Sequence, residues 1–160
     1  ALTTAQVAAI STTALTSLST TQIKAMETAD IAALTTTQAA AMTLSQVTSL
    51  TTSQVGALKY AQVSALGTNL STGQIGLLTT TQISGIATTV LAALSTSQVA
   101  AIITKDIAAL TTAQVSALTT SQIAVLSTSQ VNALSKTQVG SMTSAQLGQL
   151  STTQIPYLNV

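Results

Sequence analysis

The chain has 160 residues, 46% of them apolar, enough for one ordinary domain or a segment of a longer array. Only 4% are charged, the net charge is +1, and Arg, His, Cys, Trp and Phe are absent. These absences exclude the usual zinc, iron and copper sites, a disulfide framework and a basic nucleic-acid face: Glu27, Asp30 and Asp106 are the only carboxylates, and Lys24, Lys59, Lys105 and Lys136 stand singly.

No cofactor is therefore expected. Glu27 and Asp30 form the only close carboxylate pair, short of the oxygen ligands a hard cation needs. Residues 1–22 lack the charged start and long apolar run of a secretory leader. The longest apolar run, near 99–103, falls far below the roughly 18 residues of a membrane span.

From Thr3 the sequence cuts into octads. Eight run in order: TTAQVAAI, STTALTSL, STTQIKAM, ETADIAAL, TTTQAAAM, TLSQVTSL, TTSQVGAL and KYAQVSAL. Residues 67–70 (GTNL) interrupt. Eleven more follow from Ser71: STGQIGLL, TTTQISGI, ATTVLAAL, STSQVAAI, ITKDIAAL, TTAQVSAL, TTSQIAVL, STSQVNAL, SKTQVGSM, TSAQLGQL and STTQIPYL. Position 1 is Ser or Thr in 15 of these 19 units, and position 4 is Gln in 15. Position 5 is Val, Ile or Leu except at Ala39, and position 8 is always Leu, Ile or Met. Such regularity marks one solenoid over 1–160. A longer period is superimposed: 11–34 resembles 87–110, an offset of 87 − 11 = 76, dividing the chain into related copies at about 11–86 and 87–160. The irregularity at 67–70 lies inside the first copy.

A continuous helix does not fit, because a core stripe averaging four residues would rotate about 80° per octad around a 3.6-residue helix. A β-solenoid is the alternative, since Thr, Val and Ile favour strands and eight is even. It sends positions 5 and 8 to opposite faces, however, and no Asn-Gly or Asp-Gly turn occurs. Only on that flat β form could the Thr rows order water.

The favoured reading is one short capped helix per octad. Ser/Thr-x-x-Gln is the capping-box pattern: the hydroxyl accepts from the fourth residue's N–H, and the Gln side chain accepts from the first residue's N–H. Positions 5 and 8 share one helical face. The units starting at Glu27, Lys59, Ala87 and Ile103 lack the hydroxyl, and three of those four also lack Gln, so loss of one partner tends to accompany loss of the other, as a reciprocal box predicts. So short a helix cannot stand alone, and its apolar face must stack on neighbouring units. The expected fold is all-α, a superhelical solenoid with positions 5 and 8 inside and Ser and Thr outside.

The exceptions read as modifications of this scheme. Asp30 and Asp106 are carboxylates favoured at a helix start rather than cation ligands. Gly56, Gly67, Gly73, Gly76 and Gly85 cluster around 67–70, as in a joint, and Gly67 with Asn69 suggests a turn. Pro156 removes a ladder N–H from the last unit, where Tyr157 marks a modified end or a contact. Tyr60 is the only other aromatic, and two tyrosines cannot tile this surface as a sugar-binding platform. No catalytic residue stands out: no His exists to activate a Ser, and no Ser–Lys arrangement appears.

The motif L-[ST]-T-x-Q-[VI]-x-A, carried along nearly the whole chain, resembles the long LTxxQ repeat tracts of large bacterial surface or secreted proteins of adhesin-like type. The resemblance weakens at 27–34, 67–70, 87–94 and 103–110. It implies a structural role outside the cell or at its surface and names no ligand; an enzyme would need chemistry that this residue alphabet lacks. The expected function is a fibre, stalk or spacer built by homotypic assembly, with copies of itself as partner and no nucleic acid, membrane span or small-molecule substrate. The alternative is an adhesin solenoid that binds a surface or host ligand.

Overall fold

The computed structural model describes residues 3–160; Ala1 and Leu2, the first residues of the expected solenoid, lie outside the described residues. The chain forms two compact units, Ala1–Leu78 and Thr79–Val160.

The first unit carries α1 (Thr4–Ala9), α2 (Thr12–Thr16), α3 (Thr20–Ala25), α4 (Thr28–Ala33), α5 (Thr36–Ala41), α6 (Leu44–Ser49), α7 (Thr52–Ala57), α8 (Tyr60–Leu66), a 3-10 turn (Gly67–Asn69) and α9 (Thr72–Ile75). The second carries α10 (Thr80–Ser84), α11 (Thr88–Ala93), α12 (Thr96–Ala100), α13 (Thr104–Ala109), α14 (Thr112–Ala117), α15 (Thr120–Ala124), α16 (Thr128–Ala133), α17 (Lys136–Gly140), α18 (Ser144–Leu147) and a closing 3-10 turn (Ile155–Tyr157). The fold is an all-α solenoid with one short helix per octad, and no strand occurs among the described residues. The β alternative fails because the capping box closes a helical turn wherever it occurs.

The unit of Thr51 shows how one octad folds. Thr51 is extended at φ −72°, ψ 163°, and its hydroxyl accepts from the Gln54 N–H. The helix then runs from Thr52 to Ala57. Leu58 turns extended again at φ −61°, ψ 138°, while its N–H donates to the Val55 carbonyl at 3.2 Å. Two consecutive extended residues, positions 8 and 1, thus redirect the chain between helices. This ending needs no left-handed residue, which explains why octads end in Leu rather than glycine. Gly67 alone among the described residues has a positive φ, 53°.

Inside, position 5 is fully buried (Val47, Val55, Ile107, Val115) and position 8 nearly so (Leu58, Leu110, Leu118). In the first unit α1 to α8 pack on helices three units away: α1 on α4, α2 on α5, α3 on α6, α4 on α7 and α5 on α8. The second unit repeats this with α10 on α13, α11 on α14, α12 on α15 and α13 on α16. A helix of six residues nucleates poorly by itself, so this stacking of apolar stripes holds each octad in shape.

Pro156 has the expected effect. In place of an α-helix, the last octad makes the 3-10 turn Ile155–Tyr157, closed by the Leu158 N–H on the Ile155 carbonyl at 3.1 Å.

Candidate functional site

The group that dominates the solenoid chemically is the glutamine of position 4. Its Oε1 does what the capping box requires. In the unit of Gln54, Oε1 accepts from the Thr51 N–H at 2.9 Å. The Nε2 amide then has two hydrogens to place, and both go to the preceding superhelical turn. Gln54 Nε2 donates to the Ile23 and Met26 carbonyls, each at 2.9 Å. These are positions 5 and 8 of the unit four places earlier. Helix starts leave N–H groups without partners and helix ends leave carbonyls; one glutamine satisfies some of each.

The same rung recurs down the first unit. Gln38 Nε2 reaches the Val7 and Ile10 carbonyls at 2.8 and 2.7 Å. Gln46 reaches Leu15 and Leu18 at 2.9 and 2.8 Å, and Gln62 reaches Ile31 and Leu34 at 2.9 and 2.6 Å. In the second unit, Gln114 binds the Ile83 and Ile86 carbonyls, Gln122 those of Leu91 and Leu94, Gln138 those of Ile107 and Leu110, and Gln146 those of Val115 and Leu118. All these glutamines are buried. Gln6 and Gln22, with no described unit four places earlier, are exposed, and their bonds are those of the capping box.

Sequence reasoning found the capping half of this residue and missed the ladder half, whose acceptors lie 28 and 31 residues away. A clue was present. Lys59 offers no hydroxyl for a box, yet its unit keeps Gln62, whose Oε1 accepts from the Lys59 N–H at 2.7 Å and whose Nε2 completes a rung.

Residues 67–70 form a built step in this ladder. Gly67 ends α8 in the positive-φ region, the 3-10 turn follows, and Leu70 is buried. The next rung, Gln74 Nε2 to the Val47 carbonyl at 2.7 Å, spans 27 residues in place of 31. It joins units three places apart, with the four added residues making up half an octad.

The two aspartates stand where glutamine is expected. Asp30 is buried and its Oδ2 accepts from the Glu27 N–H at 3.3 Å. Asp106 is only 1% exposed, and its Oδ2 has no hydrogen-bond partner. Burial pushes its carboxyl above the ordinary carboxylate range, against the opposing pull of the Lys105 ammonium. An aspartate side chain is one methylene shorter than glutamine and, when ionised, has no hydrogen to donate, so it supplies at most the cap. Asp30 and Asp106 belong to different compact units, and among the described residues no three His, Cys, Asp or Glu side chains come together.

Tyr60 and Tyr157 are both about half exposed, at 54% and 48%. Tyr157 also borders a groove of about 440 Å³ in the second unit, with Thr104, Thr128, Ser129, Asn132 and Ala133 as the other walls. No octad announces this groove, because it joins units three places apart.

Two stretches of the chain, 23–60 and 99–136, match the family described as the ALTTAQ repeat. The octads are similar to the ALTTAQ repeat. The string itself stands at 1–6 and again at 109–114. The two matched stretches are offset by 99 − 23 = 76, the same interval as the internal duplication. The ALTTAQ-like octads therefore make this a repeat protein built at two levels. No curated protein and no solved structure was found to match the chain. No described helix is long and apolar enough to cross a membrane.

Proposed function

We propose that this chain is a non-catalytic structural solenoid, a spacer, stalk or fibre segment that assembles with copies of itself outside the cell or at its surface. The observation that carries the reading is the glutamine ladder. It commits the most directional side chains of the ALTTAQ-like octads to holding one turn on the next, so each octad adds a similar step of length. Stability in such an array is a sum over units and their interfaces, the energetics of a part that bears extension.

What is left for the exterior is short hydroxyl and methyl side chains with few charges. A surface of such low charge offers little repulsion between copies. Exposed apolar residues add to this: Leu44, Tyr60 and Leu77 in the first unit, Ile103 and Val125 in the second. The cap hydroxyls accept from backbone N–H groups, and no imidazole exists to activate them, which supports a non-enzymatic role. The resemblance to LTxxQ tracts of surface proteins supports the extracellular placement.

Negative-stain electron microscopy of the purified chain, with sedimentation velocity over a wide concentration range, tests this. Unbranched filaments of constant width are expected, with a mean mass rising with concentration. A chain that stays monomeric at every concentration would overturn homotypic assembly. Antibody labelling of intact source cells checks the location.

A further inference from the structure

We propose that the groove bordered by Tyr157 is a binding subsite for one ring of a neutral carbohydrate. It lies in the second unit, where α16 packs between α13 and the closing 3-10 turn. Its volume, about 440 Å³, falls in the lower half of the range of small-molecule sites, about 300–1,000 Å³.

The chemistry of the walls selects the ligand. Thr104, Thr128, Ser129 and Tyr157 bring four hydroxyls, Asn132 brings an amide, and Ala133 brings a methyl. None of the six is charged, so the groove supplies no counter-charge to a phosphate, a carboxylate or an ammonium. Hydroxyls both donate and accept, and the amide does both at fixed points. That set suits a ligand dense in hydroxyls. The phenol ring adds a flat apolar face with a polar tip, on which the C–H face of a sugar ring can lie.

The backbone that carries the aromatic wall is held in place. Tyr157 occupies octad position 7, where Ala is the consensus. Pro156 fixes the backbone just before it, and the Tyr157 N–H donates to the Gln154 carbonyl at 3.0 Å. Two residues on, Asn159 Nδ2 donates to the Asn132 and Leu134 carbonyls at 2.8 and 2.7 Å, tying this segment to α16. A backbone fixed before the ligand arrives loses less freedom on binding. The proline and asparagine that break the octad pattern here thus brace the segment that presents Tyr157. The proposal is independent of fibre assembly and would make the solenoid a scaffold that also holds a glycan.

Saturation-transfer NMR on the whole chain tests it, with the methyl glycosides of glucose, galactose, mannose and N-acetylglucosamine as probes and glycerol as the acyclic control. At least one glycoside is expected to receive saturation, and glycerol none. The chain has no tryptophan, so in Tyr60→Ala the emission of Tyr157 reports the groove alone and should change with the same glycoside. Affinity should be unchanged in Tyr60→Ala and drop about tenfold in Tyr157→Ala, a loss of about 1.4 kcal/mol. Tyr157→Phe keeps the ring and should retain most binding, and Asn132→Ala should weaken it. Circular dichroism checks that each variant is folded. Absence of transfer to all four glycosides, or transfer insensitive to both Tyr157→Ala and Asn132→Ala, would overturn the proposal.

Discussion

Replacing Gln46 by leucine separates the ladder from the cap. Leucine is close in volume and keeps the helix, so what changes is hydrogen bonding. The Thr43 N–H loses its acceptor at 3.0 Å, and the Leu15 and Leu18 carbonyls lose donors at 2.9 and 2.8 Å. The Leu15 oxygen keeps the bond from the Leu18 N–H. Three bonds at about 1 kcal/mol each, with a further penalty for polar groups left buried, and a return of about 1 kcal/mol from the apolar side chain, give a net cost of about 2–4 kcal/mol. Gln22→Leu is the control. Gln22 is exposed, and water can take over the bonds it makes within its capping box, so it should cost under about 1 kcal/mol. Urea unfolding followed by far-UV circular dichroism measures both. Equal costs for the two variants would refute the idea that the inter-turn rung, rather than the cap, is the main contribution of the glutamine.

Gln46→Glu tests the donor directly: the carboxylate keeps the cap but faces the Leu15 and Leu18 oxygens, so its folded-state pKa should rise. The variant should then be most stable at acid pH and lose stability as pH rises through that raised value, in urea midpoints taken across the pH range. Asp106 carries the same sign in the native chain. Burial raises its carboxyl, so its contribution is full below the unfolded-state pKa and is lost as pH rises through the folded one; the difference in urea midpoint between the native chain and Asp106→Asn should grow with pH. Gly67→Ala forces a side chain into a positive-φ position and should cost about 1–3 kcal/mol, whereas Gly56→Ala, whose methyl would meet nothing within 4 Å, should stabilise by about 0.5–1 kcal/mol in the same assay. Deleting residues 67–70 places Gln74 at 35 − 4 = 31 residues from Ala39, the ordinary rung spacing, so helicity and cooperative unfolding should survive. Deleting only two of the four should lower both, and an equal response to the two deletions would count against the register.

The sequence carries the fold class because the decisive interactions are local. Ser or Thr with Gln three residues on is a bond within one turn of helix, and the step from position 5 to position 8 is a face of that turn. Both can be read at any octad, and both appear in the folded unit of Thr51–Leu58. The ladder and the groove escaped for the opposite reason. Gln54 meets Ile23 and Met26, and Tyr157 shares a groove with Ser129, only because the superhelix has a particular number of residues per turn. No octad encodes that number by itself; it follows from the angle set by two extended residues at each junction. The aspartates show the same division. Their place at a helix start was legible, but the unpartnered Oδ2 of Asp106 was not, since the cap pattern alone assigns position 4 no duty beyond its own helix.

The turn length also explains why an octad with one glutamine suffices. Helices pack on those three units away, while rungs reach the ends of helices four units away, so a turn holds more than three units and fewer than four. From Gln38 to the Ile10 carbonyl is 28 residues, and 28/8 is three and a half octads. Successive turns are thus staggered by half a unit, like bricks, and the start of each helix lies over the end of one beneath. That stagger brings the orphan N–H groups of one helix near the orphan carbonyls of another, with dipole ends of opposite sign facing. A whole number of octads per turn would set starts over starts, where a single amide side chain could not serve both. The insertion at 67–70 obeys the same geometry: half an octad is the amount that exchanges one rung register for the next, and Gln74 finds the Val47 carbonyl across it.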